Sequence, residues 1–173
     1  MTYSQIPPPE HDAFRRFPLI KLPKYRFVPK IFPHPTKSEE GHSFNQSSDL
    51  PLSRKERQRC WGLGLDLFDY RYYWEAHECW ESLWHVYKAT EREGIVLQGM
   101  IQLSASILKR HMGHSRQAEK LFNRASSLLT LSTSEEWHGL NITSSLLSVS
   151  SFHSSGEWPL LVMNDQYGWQ NWP

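Results

Sequence analysis

The chain has 173 residues, of which 39% are hydrophobic, 21% charged and 13% aromatic, and its net charge is +1. The aromatic content excludes a wholly disordered protein, and the length fits one globular domain. No stretch approaches the roughly 18 consecutive apolar residues of a transmembrane helix, and the N-terminus lacks the apolar core of a secretion signal. We therefore expect a cytoplasmic protein without a membrane partner.

The charge is distributed unevenly along the chain. Residues 1–60 contain 11 Lys and Arg against 6 Asp and Glu, residues 61–130 contain 8 of each, and residues 131–173 contain 4 acidic residues and no Lys or Arg. A basic arm can bind nucleic acid, but opposite charges at the two ends can also attract each other within one fold. We favour the second interpretation and do not expect nucleic acid as a partner.

Residues 1–52 are predicted to form an extended arm. Nine of the eleven prolines lie in the first 51 residues, and proline removes a backbone donor and disfavours helix before it. Aromatic residues recur between these prolines, at Phe14, Phe17, Tyr25, Phe27, Phe32 and Phe44. Because such side chains favour burial, we expect the arm to pack over a helical body, with a disordered linker as the alternative.

Residues 53–131 are predicted to form an antiparallel helical bundle, which makes the fold class all-α. A capping box, Ser53-Arg54-Lys55-Glu56, starts the first helix over residues 54–69. The second helix is predicted over 72–88, the third over 94–112 before Gly113, and the fourth after Ser115. Residues 132–173 are rich in serine and weakly patterned, and are predicted to form an irregular tail that can include one short helix within 143–152.

The second predicted helix carries a candidate site. Trp74, His77, Glu81 and Trp84 share one face because steps of three, four and three residues separate them. The two indoles favour burial of this face. An imidazole and a carboxylate buried between them would need hydrogen bonds, an ion pair or a metal to offset their lost hydration.

The third predicted helix offers partners for that site. Gln98, Gln102, Ala105 and Lys109 share one of its faces. The two glutamines could satisfy His77 and Glu81 across the helix pair, and Lys109 could pair with Glu78 or Glu81. A solvated helix end is the alternative for Lys109.

A combination of short motifs extends over residues 67–129. In order they are Leu67-Phe68-Asp69, Tyr73-Trp74-Glu75-Ala76-His77-Glu78, Glu81-x-x-Trp84, Gln98-Gly99-Met100-Ile101-Gln102, and Gly113 followed by Ala118. This combination resembles the small bacterial and plant family called domain of unknown function 309. The resemblance implies an all-helical bundle without an established activity. It places the family's motif residues on His77, Glu78, Glu81, Trp84, Gln98, Gly99 and Gln102.

Two positions depart from the family pattern. Members often have histidine where this chain has Lys109 and asparagine where it has His114, so a metal ligand of relatives would be missing if that first histidine binds metal. Longer members share elements similar to His34-Pro35 and Gly41-His42-Ser43. That resemblance would bring the arm to the same site.

Three functional interpretations stay open. The first is a small-ligand pocket lined by Trp74, His77, Glu78, Glu81, Trp84, Gln98, Gln102 and Lys109. The second is a divalent metal bound by His77 and Glu81, with further ligands from His34, His42, Glu78 or His111, and with metal-dependent hydrolysis as a further alternative. The third is a structural or protein-interaction module, whose polar network only fixes helix packing.

Several chemistries lack support in the sequence. His77-Glu78-x-x-Glu81 departs from the zinc-protease motif H-E-x-x-H because Glu81 replaces the second histidine. No phosphate-binding loop, dinucleotide fingerprint or serine-hydrolase elbow occurs. Cys60 and Cys79 are expected to be reduced thiols in the core. A homo-oligomer is compatible with all three interpretations.

Overall fold

A computed structural model of the chain describes residues 4–10, 14–44, 53–87, 91–132 and 135–173. Its helices are α1 (Arg54–Asp69), α2 (Tyr73–Trp84), α3 (Arg92–His111), α4 (Ser115–Ser132) and α5 (Ile142–Ser155). Two short strands, β1 (Glu136–Trp137) and β2 (Leu140–Asn141), pair antiparallel, and Gly168–Asn171 forms a 3-10 turn. The predicted all-α class is confirmed.

Local signals account for the ends of the helices. At the start of α1 the Glu56 amide donates to Ser53 Oγ at 3.3 Å, and the Ser53 amide donates to Glu56 Oε2 at 2.7 Å, so the capping box is formed. Helix α2 ends at Trp84, earlier than predicted, because the following residues 85–87 form a turn. Lys88, the predicted end, lies outside the described residues. After α3, Gly113 adopts a φ of 74°, a left-handed conformation that glycine tolerates well.

Helix α2 is rotated relative to the prediction. Its face in the core consists of Tyr73, Ala76, Trp80 and Leu83, each of them 0–1% exposed. The predicted stripe of Trp74, His77, Glu81 and Trp84 is offset by one residue, which is about 100° around a helix. These four side chains are only partly buried, whereas the two indoles predicted that their shared face would be buried.

The arm packs against the helices, and some of its side chains are fully buried between them. Ile6, Phe27 and Val28 are buried hydrophobic residues. Arg16, with a side chain 1% exposed, lies 2.9 Å from the fully buried Asp66. The same carboxylate accepts hydrogen bonds from the backbone amides of residues 16 and 17 at 3.0 and 2.9 Å. Opposite charges therefore do meet within the fold, although the acid lies in α1 and not in the acidic C-terminal segment.

Residues 135–173 also pack on the bundle and are more regular than predicted. Helix α5 covers the predicted 143–152 helix and extends beyond it at both ends. The Leu161 amide donates to Asp69 Oδ1 at 2.9 Å, and Trp172 is fully buried against Trp61, with ring centres 4.6 Å apart. None of the described helices is long and apolar enough to cross a membrane.

Candidate functional site

Three side chains of α2 converge on its flank. His77, Glu78 and Glu81 each offer one ligand atom within 4.8 Å of the other two, and we call them the α2 cluster. Their spacing puts them on adjacent turns of the helix, where residues three and four apart are neighbours. His77 Nε2 lies 3.5 Å from Glu81 Oε2, and the two side chains are 26% and 44% exposed. The α2 cluster is therefore accessible from solvent.

The environment of the α2 cluster shifts the pKa of Glu78 and that of His77 in opposite directions. Burial and, to a smaller extent, the nearby Glu81 charge together raise the pKa of Glu78 to about 7, although Lys37 of the arm opposes both. Burial lowers the pKa of His77, and Glu81 offsets only part of that effect. His77 is thus neutral near pH 7 with a free nitrogen lone pair, which is the form that binds metals.

The predicted pairing between α2 and α3 is absent. Within the described residues, no hydrogen bond or ion pair joins a side chain of α2 to a side chain of α3. Gln102 Oε1 is buried without a hydrogen-bond partner, as is Trp84 Nε1. The physical reason is the rotation of α2, because its apolar face and not its polar stripe lies in the core. Neither Gln98 nor Lys109 makes a polar contact with the α2 cluster.

A cavity of about 470 Å³ separates the arm from α1 and α2, and we call it the arm cavity. Its apolar walls include Leu22 and Pro23 of the arm, Leu63 and Leu67 of α1, and Trp74 of α2. Its polar residues include His42, Glu75 and Glu78. Among the eight predicted pocket residues, only Trp74 and Glu78 line it. The structure thus divides the predicted site between a surface cluster and a cavity, with Glu78 in both.

A tight loop of the arm positions His42. The Ser38 amide donates to His34 O at 3.1 Å, and the Ser43 amide donates to Pro35 O at 3.0 Å. A β-carbon on Gly41 would overlap the Pro35 carbonyl oxygen, so glycine is required there. The elements His34-Pro35 and Gly41-His42-Ser43 therefore form one unit that carries His42 onto α2.

His42 and Glu75 are the most unusual polar pair of the cavity. His42 Nε2 lies 3.5 Å from Glu75 Oε1, and each side chain is 6% exposed. Glu75 Oε1 accepts from the Phe27 amide at 3.1 Å. Glu75 Oε2 and both ring nitrogens of His42 are buried without a hydrogen-bond partner. Burial raises the pKa of Glu75 to about 7 and lowers that of His42.

His42 was a candidate ligand on the basis of the sequence, whereas Glu75 was not. Glu75 follows Trp74 directly, in a helix whose core face runs through Tyr73 and Ala76. An acidic residue directly beside the core face of α2 was the sequence signal that could have identified Glu75 as a buried acid. Cys60 and Cys79, also on the cavity wall, are unpaired thiols, and burial raises the pKa of both, which keeps them protonated and unreactive.

A family model described as Domain of unknown function (DUF309) matches residues 61–121, which are 61 of the 173 residues. The matched segment contains most of α1, all of α2 and α3, and the start of α4, but not the arm that carries His42. No curated protein matches the chain. Over the segment that includes the α2 cluster and Glu75, the chain therefore resembles the family described as Domain of unknown function (DUF309), as its motifs predicted.

Proposed function

We propose that the α2 cluster binds a divalent metal ion through His77, Glu78 and Glu81. The observation that carries the proposal is the convergence of one nitrogen and two carboxylate ligand atoms within 4.8 Å. This ligand set suits zinc or manganese, and three protein ligands leave a position for water or another small ligand.

The charges of the α2 cluster support this proposal. Two carboxylates close together on one helix repel each other, and the pKa of Glu78 is raised to about 7 by burial and then by Glu81. Lys37 compensates this repulsion only in part. A bound cation would relieve the repulsion, lower the pKa of Glu78 and release its proton.

Two other candidates rest on observations of the same residues. The His77–Glu81 contact is an i,i+4 pair, which favours a structural role worth about 0.3–0.5 kcal/mol at an exposed site when the pH is low enough to protonate His77. A metal-dependent hydrolase is supported only by the open coordination position, at which a metal could activate water. A cytoplasmic location is supported by the unpaired thiols of Cys60 and Cys79, the state that cytosolic reductants maintain.

The test is calorimetric titration of purified protein with Zn²⁺, together with elemental analysis. Glu81→Gln keeps the shape of the side chain but removes its charge. We expect one ion per wild-type chain and an affinity lowered about tenfold or more in the variant, equivalent to about 1.4 kcal/mol or more. Glu119→Gln, an exposed acid of α4, is the matched control and should bind like wild type. Equal binding by all three proteins, or no binding by wild type, would contradict the proposal.

A further inference from the structure

We infer that the arm cavity binds a small amphipathic amine, with its ammonium group at His42 and Glu75 and its apolar part against the cavity walls. The volume of about 470 Å³ falls within the roughly 300–1,000 Å³ of small-molecule sites. His42 and Glu75 do not belong to the α2 cluster. The inference therefore goes beyond the proposed metal site and does not depend on it.

The carboxylate of Glu75 is incompletely hydrogen-bonded. Its Oε1 atom accepts from the Phe27 amide, which orients the carboxylate, while its Oε2 atom is buried with no donor. The side chain is 94% buried and lines the cavity. A buried acceptor without a donor is strongly disfavoured in a folded protein. A ligand that donates to Oε2 would remove this penalty.

The imidazole of His42 is also without hydrogen-bond partners. A neutral imidazole has one donor and one acceptor nitrogen. Since Nε2 faces Glu75 Oε1, the proton belongs on Nε2, which leaves Nδ1 as an acceptor. Nδ1 is buried without a partner, and the ring is held edge-on against Tyr25, with ring centres 4.6 Å apart. The residues that line the cavity thus include two with unsatisfied acceptors, Glu75 and His42, and an ammonium group carries three donors.

Other ligand classes fit less well. An anion would meet two acids, and the cations at the cavity, Lys21 and Arg59, are exposed and screened by solvent. A bare metal ion is disfavoured because, among the described residues, only the α2 cluster brings three ligand atoms within 4.8 Å. The walls formed by Leu22, Leu63 and Trp74 require an apolar body that no simple ion has.

The test uses 2-phenylethylammonium as the probe, with 2-phenylethanol and 3-phenylpropionate as neutral and anionic analogues. Binding is followed by the NMR signal of the Trp74 indole N–H, which Trp74→Phe identifies. We expect saturable shifts with the ammonium probe and at least about tenfold weaker binding of both analogues. Glu75→Gln keeps an acceptor for the Phe27 amide and should weaken ammonium binding about tenfold or more.

Two further variants separate this site from the α2 cluster and from effects on folding. Glu81→Gln removes a proposed metal ligand outside the cavity, so it should bind the ammonium probe like wild type. Ser82→Leu extends a side chain into the cavity from α2 and should abolish binding while both acids are kept. The inference is overturned if wild type does not bind the ammonium probe, if 3-phenylpropionate binds equally well, or if folded Glu75→Gln or Ser82→Leu protein binds like wild type.

Discussion

Asp66 and Glu75 are both buried acids that contact the N-terminal arm, yet their carboxylates are satisfied to different extents. Both oxygens of Asp66 accept hydrogen bonds, and the buried Arg16 guanidinium balances the charge at 2.9 Å. Glu75 has a donor on one oxygen only, and the histidine beside it, His42, is itself without a hydrogen-bond partner. The two acids lie on neighbouring helices and are equally inaccessible.

The difference indicates what each acid does. Asp66 attaches the arm to α1, and contacts within the protein satisfy both of its oxygens and balance its charge. Glu75 lines a cavity and has an unused acceptor, and burial raises its pKa to about 7 although Arg26 and the Phe27 amide oppose the shift. A buried group that the fold does not satisfy is typical of a binding site.

The largest effect on stability is expected from removing Arg16, the cation that pairs with Asp66. Arg16→Met would leave Asp66 and Asp69 buried without their cation, and removing one partner of a buried pair costs about 3–5 kcal/mol. Urea denaturation measures the change in the free energy of unfolding. Arg124→Met, at an exposed position of α4, is the control and should stay within about 0.5 kcal/mol of wild type. A loss no larger than that of the control would contradict the structural role of Arg16.

A smaller effect is expected at the loop that carries His42. Gly41→Ala would force the loop away from the Pro35 carbonyl, and overpacking of this kind costs about 1–3 kcal/mol. Displacement of His42 should also weaken binding of the ammonium probe. Thermal denaturation and the probe titration check both effects. Ser38→Ala keeps the backbone contacts of the same loop and serves as the control. Equal stability and equal probe binding of the two variants would count against the close approach of Gly41 to the Pro35 carbonyl.

The difference in stability between Glu75→Gln and wild type is expected to depend on pH. Between the ordinary pKa of glutamate, about 4.3, and the raised value of about 7, the folded protein binds a proton that the unfolded chain lacks. The contribution of Glu75 to stability is therefore present at low pH and is lost as pH rises through this window. The variant should gain about 1–2 kcal/mol relative to wild type between about pH 5.5 and about pH 7.5. Comparing the two proteins cancels the opposite effect of the histidines, and a constant difference across this range would refute the assignment.

The smallest effect on stability is expected for Glu81→Gln. A buried polar contact would lose about 1–3 kcal/mol, but the Glu81 side chain is 44% exposed, so we expect about 0.5 kcal/mol or less. Thermal melts with and without Zn²⁺ separate stability from metal binding. Zn²⁺ should raise the melting temperature of wild type more than that of the variant. Equal stabilisation of both would argue against Glu81 as a ligand.

The sequence predicts local geometry well in this protein. The capping box at Ser53 sets the start of α1, and the contact between His77 and Glu81 follows from helical spacing alone. The choice of the core face of α2 was not predictable in this way. Aromatic residues lie on both candidate faces, Tyr73 and Trp80 on one and Trp74 and Trp84 on the other, so periodicity could not separate them.

The arm cavity depends on contacts between distant parts of the chain. His42 reaches Glu75 only because the loop around Gly41 folds against α2, and no spacing within one element encodes that approach. The predicted pairing of Gln98 and Gln102 with α2 failed for the same reason. It required the relative rotation of two helices, which packing of the whole core decides.

The most direct test compares the two matched amide variants, Asp66→Asn and Glu75→Gln, by equilibrium urea denaturation at about pH 8, where both acids ionise in the unfolded chain. Asp66→Asn should lose about 3 kcal/mol or more, because it leaves Arg16 buried without its charge partner. Glu75→Gln should be as stable as wild type or more stable, because it removes a buried charge that Arg26 and the Phe27 amide compensate only in part. A loss in Glu75→Gln equal to that in Asp66→Asn would show that Glu75 serves the fold, and would contradict its assignment to a binding site.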